Sequence, residues 1–395
     1  MIIFLTYYNY PCNEPALENI FAKELGKKFD ITWLFQGYHK NNRILNWHNS
    51  KIILTKKHRG SNRAIRVINK ILALEKYFQL AKFLFKGRVD TIVIRDMPFI
   101  FILIRPLKAF LKFRIYFQHT APLGDIDIGY YKIQKSKFRY WYRIKGWCYN
   151  FLIKIVMDKA DIVFPISEFH KRELIRFHDP DKFVPITMGI DEEWINRKKE
   201  ELGDIKRLKQ AFFILIYFGS LSFVRNPKFI LEVFYFVSAK LKKCKLFLVG
   251  NIDHFRDKLD LMRICEEMKI SENVLFIPRL SRNNLQNHLQ YCDLSISAIP
   301  PEGFYRISSP TKVYESLGNG IPVVGNKEIY EQEKVILKSN GGVVTDYDPK
   351  SFAEAIIMLL KNKNLREKMA KSGKDYVIKN YNYRLIAERI HPYFI

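Results

Sequence analysis

The sequence predicts an α/β protein of two doubly wound domains, each a parallel sheet covered by helices. Three observations carry this. The chain has 395 residues, enough for about two domains with substantial cores. Short apolar runs rich in β-branched residues alternate with longer stretches whose apolar residues recur at i, i+3 and i+4. The alternation then restarts near the middle of the chain. Strands that are apolar on both sides belong in sheets buried on both faces, and the intervening helices supply the crossovers that parallel pairing needs.

In the first half, strands are expected at Ile2–Thr6, Ile31–Phe35, Thr91–Ile94, Arg114–Phe117 and Ile162–Ile166, with helices over Pro15–Lys28, Arg63–Phe85 and Lys132–Lys159. In the second half, strands are expected at Phe213–Phe218, Lys245–Val249, Val274–Ile277, Leu294–Ala298, Pro322–Val324 and Gly342–Val344. Their helices are Lys228–Leu241, Asp257–Met268, Asn283–Gln290, Thr311–Leu317 and Ser351–Lys361, and a last helical run covers Asn382–Ile390. The polar, strand-free stretch Asp191–Lys209 reads as the boundary. It gives domains 1–195 and 210–375, and a C-terminal helix over 376–395 packing back toward the first domain. In such sheets ligands bind beyond the carboxyl ends of the strands, so the two domains are expected to face a central cleft.

Composition narrows the function. Hydrophobic residues make up 48% and charged residues 27%, which excludes extended disorder. The five cysteines are scattered, with no CxxC pair and no zinc-ligand spacing, so reduced thiols are expected rather than a metal module. No run reaches the ~18 apolar residues of a spanning helix, and MIIFLTYYNY reads as a strand rather than a signal peptide. The net charge is +26, from 66 Lys and Arg against 40 Asp and Glu, which favours an anionic partner. Residues 1–190 carry 33 basic and 15 acidic residues and the remainder 33 and 25, so the excess belongs to the first domain.

Two stretches carry chemistry. In IYFGSLSFVRNP (Ile216–Pro227), a strand ends at Gly219 and a short loop brings Arg225 to the start of a helix. Glycine allows close backbone approach, the helix start offers free N–H groups, and arginine offers a forked cation, a set suited to a diphosphate. In SSPTKVYESLGNG (Ser308–Gly320), Ser309 is the expected N-cap and Pro310 the first helical residue. Thr311 and Lys312 then sit at the positive end of the helix. Lys312 and Glu315 share a face, and a carboxylate there can accept hydrogen bonds from two vicinal hydroxyls.

Together these stretches resemble the retaining group-4 nucleotide-sugar glycosyltransferases of GT-B fold. FGSLSFVRNPKFILEVF is similar to the family's opening strand, loop and helix of the C-terminal domain. LFIPRLSRNNLQNHLQYCDLSISAIP, SPTKVYESLGNGIPVVG and NGGVVTDYDPKSFAEAIIMLL resemble the units that follow, and KADIVFPISEFHKREL with VPITMGID resembles the close of the first domain. The resemblance implies two Rossmann-like domains, a nucleotide diphosphate sugar as donor, and retention of anomeric configuration. It implies roles as well. Glu315 falls on the glutamate that binds the donor ribose, and Arg225 on the residue that neutralises the diphosphate. Gly219 and the Ser309–Pro310–Thr311 helix start would bring backbone to the phosphates. His119, in FQHTAP, falls on the histidine near the transferred sugar. Glu302, in PPEGF, resembles the start of the paired-glutamate motif and would touch sugar hydroxyls.

The sequence also departs from the family. Ile307 occupies the usual place of the first glutamate, and Glu302 lies five residues further from Glu315 than that place. Ser220 replaces an arginine, leaving Arg279 or Lys312 to supply the charge. PCNEPA (Pro11–Ala16) replaces a glycine pair. An epimerase of related architecture and a non-catalytic sugar-nucleotide-binding subunit stay open as alternatives.

Asp125 and Asp127 form an Asp-x-Asp pair expected in a polar loop, two ligands being far from a divalent site, and no metal or other cofactor is expected. Between Ile128 and Ala160 lie eight basic residues, one acid and nine aromatics. As a helix, Phe138, Trp141, Ile144, Cys148, Phe151 and Ile155 would share one face, with Lys132, Lys135, Arg139, Arg143 and Lys154 largely on another. Cations beside boundary aromatics mark an interfacial helix, so the segment 130–155 is expected to meet an anionic membrane. The acceptor is then a lipid-linked saccharide or surface-polysaccharide precursor, and the enzyme is placed in the cytoplasm, peripheral to the membrane. No nucleic-acid module is recognisable, and nucleic acid is not an expected partner.

Overall fold

Ile31–Gly37 is buried at all seven residues, which only an interior strand covered on both faces permits. Around it the computed structural model, which describes residues 1–38, 43–60, 62–133, 139–252 and 255–395, builds the first of two sheets. The chain divides into Met1–Thr187 with Tyr383–Ile395, and Met188–Asn382.

The first unit contains β1 (Ile2–Tyr10), β2 (Ile31–Gly37), β3 (Ile44–Trp47), β4 (Ser50–Lys56), α1 (Arg63–Leu72), α2 (Glu75–Phe85), β5 (Thr91–Arg95), α3 (Pro98–Ile104), β6 (Arg114–His119), α4 (Leu123–Ile133), α5 (Arg139–Lys159), β7 (Ile162–Pro165) and α6 (Glu168–Leu174). Its strand order is β3-β4-β2-β1-β5-β6-β7, parallel throughout except that β3 runs antiparallel to β4. The β3–β4 hairpin was not expected. Its first strand buries only Trp47 and so lacks the continuous apolar run that marks a strand covered on both faces. Leu80, Leu84, Phe101, Val156 and Met157 pack from α2, α3 and α5 onto Ile3, Leu5, Ile92, Ile94 and Phe117 of the sheet. In the same unit the C-terminal Phe394 packs against Phe21, Tyr116 and Phe164.

The second unit contains α7 (Glu192–Asn196), α8 (Gly203–Ala211), β8 (Phe213–Phe218), α9 (Pro227–Lys240), β9 (Cys244–Val249), α10 (Phe255–Glu267), β10 (Val274–Ile277), α11 (Arg282–Leu289), β11 (Leu294–Ser297), α12 (Gly303–Arg306), α13 (Thr311–Gly318), β12 (Val323–Asn326), α14 (Tyr330–Ser339), β13 (Gly342–Thr345), α15 (Pro349–Lys361) and α16 (Lys363–Tyr381). Its sheet is parallel, in the order β10-β9-β8-β11-β12-β13. Phe229, Ile230, Phe234, Phe352, Ile356 and Leu359 cover one face, from α9 and α15.

The boundary lies between Thr187 and Met188, ahead of the stretch expected to hold it. Residues after it are tied into the second unit: the Arg197 guanidinium donates to Gln286 Oε1 at 2.7 Å and Asn287 Oδ1 at 2.7 Å, and Gln286 donates to the Trp194 carbonyl. Polarity there reflects a side-chain hydrogen-bond network rather than a free linker. The C-terminal helix expected over 376–395 is two elements. α16 ends at Tyr381, and α17 (Tyr383–Ile390) belongs with the first unit.

Candidate functional site

In each sheet the chain reverses its direction of strand addition at one place, and the loops there part to leave a crevice. In the second unit that place is between β8 and β11. The loop after β8 begins at Gly219, whose φ of +141° is a conformation that side chains disfavour. A Cβ on Gly250 would lie 1.9 Å from the Gly219 carbonyl oxygen, so this turn needs glycine at two positions. The loop then enters a single 3-10 turn, Phe223–Arg225, that ends at Arg225.

Two cations meet aromatic faces here. Lys312 Nζ stands 3.7 Å from the centroid of the Tyr217 ring, and the Arg225 guanidinium lies 4.2 Å from that of Tyr305. Among the described residues neither cation forms an ion pair. Burial, reinforced by the Arg225 charge, holds the Lys312 amine well below the usual lysine range. Burial also raises the Tyr217 phenol to about 12. Unpaired cations held on ring faces beside a helix N-terminus concentrate positive charge at this end of the sheet.

α13 starts at Thr311, as the apolar spacing predicts, but its cap is not the expected one. Pro310 is its N-cap and Thr311 its first residue. Ser309 does not cap it: the buried hydroxyl accepts from the Met188 N–H at 3.0 Å and pairs with the Tyr314 hydroxyl at 3.0 Å. A proline at the N-cap has no side-chain acceptor to offer, so the first N–H groups of the helix are not closed by a cap. Glu315, buried on the same helix, does not pair with Lys312. Its Oε1 lies 3.6 Å from Nε of Arg282. Burial raises the Glu315 carboxyl above the ordinary range and Arg282 opposes it. Arg282 in turn lies 4.5 Å from the Trp194 ring centroid and 3.7 Å from Asp191. Sequence reading missed Arg282, because its only signal was a basic residue at the start of an otherwise polar helix.

Glu302 is the exposed N-cap of the short α12, and its charge is felt at Tyr347. Arg279 is exposed in the loop after β10, two strands from β8 in the sheet order. The structure thus gathers Gly219, Arg225, Lys312 and the α13 start.

In the first unit the reversal falls between β1 and β5, where a buried polar cluster forms. His119 ends β6, and its Nδ1 lies 3.3 Å from Asp96 Oδ1. The same carboxylate accepts from the Thr120 N–H at 2.8 Å and from the Thr120 hydroxyl. Asp96 has φ +51°, a backbone state rare outside glycine and Asn/Asp. Beside it, buried Arg95 pairs with Glu14 at 3.3 Å. The ring of buried His170 lies 4.9 Å from that of His119. Burial, then the neighbouring His119, takes the His170 imidazole well below its usual range. Arg95, Asp96 and Glu14 were not anticipated, since single charges at strand ends look like solvated termini.

Asp125 and Asp127 lie on α4, not in a loop. Asp125 accepts from the Asn150 amide at 2.8 Å, and Asp127 pairs with Lys145 at 2.8 Å. α5 exposes Tyr140, Trp141, Ile144, Trp147 and Phe151, whereas Cys148 and Ile155 turn partly inward. Lys135 and Phe138 lie outside the described residues, as do the side chains of Lys132 and Arg139. A groove of about 740 Å³ between α4 and α5 is lined by Ile128, Tyr131, Tyr140, Arg143, Ile144 and Trp147. Among the described residues no helix is long and apolar enough to cross a membrane.

Comparison with known proteins accounts for this architecture. Residues 198–376 match the family Glycosyl transferases group 1. An uncharacterized glycosyltransferase of Methanocaldococcus jannaschii is 22% identical over 318 residues, covering 78% of this chain and 76% of that one. The N-acetyl-alpha-D-glucosaminyl L-malate synthase of Bacillus anthracis is 21% identical over 244 residues, 61% of each chain. Among solved structures, sucrose-phosphate synthase from Thermosynechococcus elongatus superposes with a TM-score of 0.74 at 14% identity, covering 100% of this chain and 98% of that one. WaaG, a glycosyltransferase involved in lipopolysaccharide biosynthesis, gives 0.69 at 14% identity, covering 98% of each. Anabaena HepE in complex with UDP-glucose gives 0.71 at 14% identity, covering 100% and 98%. With two parallel Rossmann-like sheets and a matched group 1 segment, the chain is a glycosyltransferase of GT-B fold.

Proposed function

We propose that this enzyme transfers a sugar from a nucleotide diphosphate sugar to a membrane-borne saccharide acceptor, with retention of configuration. The observation that carries the donor reading is the pair of unpaired cations, Arg225 and Lys312, on the rings of Tyr305 and Tyr217 beside the uncapped start of α13. Such a site is preorganised for negative charge, and it acts most where charge grows, on the leaving diphosphate. Glu315, kept in place by Arg282, takes the ribose hydroxyls. Glu302 reaches the sugar. His119, fixed by Asp96, is the catalytic residue we assign to the first unit. Cations and helix dipole supply the neutralisation, so no metal is required. The complex of HepE with UDP-glucose supports a nucleotide sugar as the donor class.

The acceptor reading rests on the exposed aromatic face of α5 and its groove, with cationic neighbours such as Arg143 and Lys154. That surface suits a saccharide carried on an anionic lipid and supports a peripheral position on a membrane. A calorimetric screen of UDP-, GDP- and ADP-sugars tests the donor. One of them should bind the wild type, and Arg225→Ala and Lys312→Met should each weaken it at least tenfold. Full affinity in both variants would remove the site assignment. The anomeric configuration of the product, read by NMR, tests retention, and an inverted product refutes it.

A further inference from the structure

The helices over one face of the first unit's sheet are apolar on their outer sides too. Among the described residues, 14 of the 24 exposed large apolar side chains lie between Val67 and Phe151, against five in the whole second unit. The longest stripe is on α1 and α2. Ala73 and Leu74, which join them, both have right-handed helical backbones, so the two helices continue one face. Val67, Ile71, Leu74 and Phe78 follow at steps of four, three and four, and Phe85 lies two turns on. Each is between 50% and 74% exposed. Arg66, Lys70, Lys82 and Lys86 are exposed around them. Residues 56–88 hold ten Lys and Arg and a single acid, Glu75.

We infer that the α1–α2 stripe is a second membrane anchor, laying this helical layer on an anionic bilayer together with α5. The inference rests on the membrane-borne acceptor proposed above. Charge selects the occupant. A second copy of the chain would bring the same cations to the contact and be repelled, whereas anionic headgroups are attracted at the level of the lysines and arginines while the apolar stripe enters the acyl boundary. One amphipathic element binds a bilayer marginally and reversibly. Two on one rigid layer bind jointly, because the second is already held near the surface once the first is bound.

The full chain is tested on vesicles of phosphatidylcholine with phosphatidylglycerol and of phosphatidylcholine alone. One variant carries Ile71→Gln, Leu74→Gln and Phe78→Gln; another carries Trp141→Gln, Trp147→Gln and Phe151→Gln. All six positions are exposed, so cooperative melting should persist. Each variant should lower partitioning onto anionic vesicles at least tenfold, and the combination further. Arg66→Gln with Lys70→Gln and Lys82→Gln should erase most of the preference for anionic over neutral vesicles. If the α1–α2 variant binds like wild type while the α5 variant does not, the second anchor is refuted and the membrane reading stands. If the wild type does not bind, or neither variant differs from it, both are refuted. A concentration-dependent dimer that the α1–α2 variant abolishes, with vesicle binding intact, assigns the stripe to self-association and overturns the inference.

Discussion

Lys312 Nζ stands 3.7 Å from the centroid of the Tyr217 ring, and the amine is held well below the usual lysine range by burial and by Arg225. Burial and Arg225 therefore weaken the amine's hold on its proton, and a nearby anion would strengthen it. Binding a diphosphate should draw a proton from solvent. Calorimetry in buffers of different ionisation enthalpy should show net proton uptake, and affinity should fall as pH rises. Lys312→Met should weaken donor binding by about 10–100-fold, the worth of a hydrogen bond to a charged group.

The same residue makes a stability prediction of opposite sign. Between its lowered folded value and 10.5, the unfolded chain binds more protons at this position than the folded one, so the lysine lets stability rise with pH across that window. Lys312→Met should flatten the slope and raise stability at pH 7 by about 1 kcal/mol, because folding no longer has to bury an amine that has no counter-charge. Urea titrations at several pH values give both quantities. A destabilised Met variant would mean the amine is structurally paired.

Glu315 and Arg282 should behave as a coupled pair. Arg282→Ala leaves a buried carboxylate whose protonation is already favoured by burial, at a cost of about 3 kcal/mol at neutral pH. The folded state then holds a proton that the unfolded state releases, so the loss should grow as pH rises above the ordinary carboxyl range and shrink on acidification. Adding Glu315→Gln should recover much of the stability but not donor binding. A double-mutant cycle measures the coupling, and additive effects would show the 3.6 Å approach to carry no energy.

What could be read from the chain follows from where each signal is stored. Strands such as Ile31–Gly37 and Phe213–Phe218 are continuous apolar runs, a local property, and so were visible. Gly219, Arg225, Lys312 and Glu315 were visible because the helix and turn that carry them have their own punctuation. Ser309 was misjudged because a serine before Pro-Thr reads as a cap, while its hydroxyl is taken by Met188 and Tyr314, partners remote in sequence or one turn along the helix. Arg282, Asp96 and Arg95 act through residues on other strands and helices. No spacing within one element could announce them.

Gly250→Ala tests whether the β8 loop geometry itself matters. The added Cβ would lie 1.9 Å from the Gly219 carbonyl oxygen, and backbone must move to admit it. We expect a loss of about 2 kcal/mol or more in stability and a donor affinity reduced with it. Gly320→Ala, where no atom lies within 4 Å but φ is +73°, should cost only the backbone strain, about 1 kcal/mol, and leave donor binding unchanged.

In the first unit, Asp96 makes a prediction about a proton's position. An ionised carboxylate only accepts hydrogen bonds. At 3.3 Å from Asp96 Oδ1, Nδ1 of His119 must therefore carry hydrogen. Nitrogen NMR of the wild type should show hydrogen on Nδ1. Asp96→Asn keeps the shape but can turn its amide N–H₂ toward the ring, and the tautomer should then reverse while transfer falls by orders of magnitude. Asp96→Ala should in addition lose about 3 kcal/mol, since it removes the acceptor of the Thr120 N–H and hydroxyl and leaves buried Arg95 with one carboxylate fewer. A wild-type spectrum with hydrogen on Nε2 alone would contradict the assignment. Full activity of Asp96→Asn with the tautomer reversed would show that His119 does not depend on that proton.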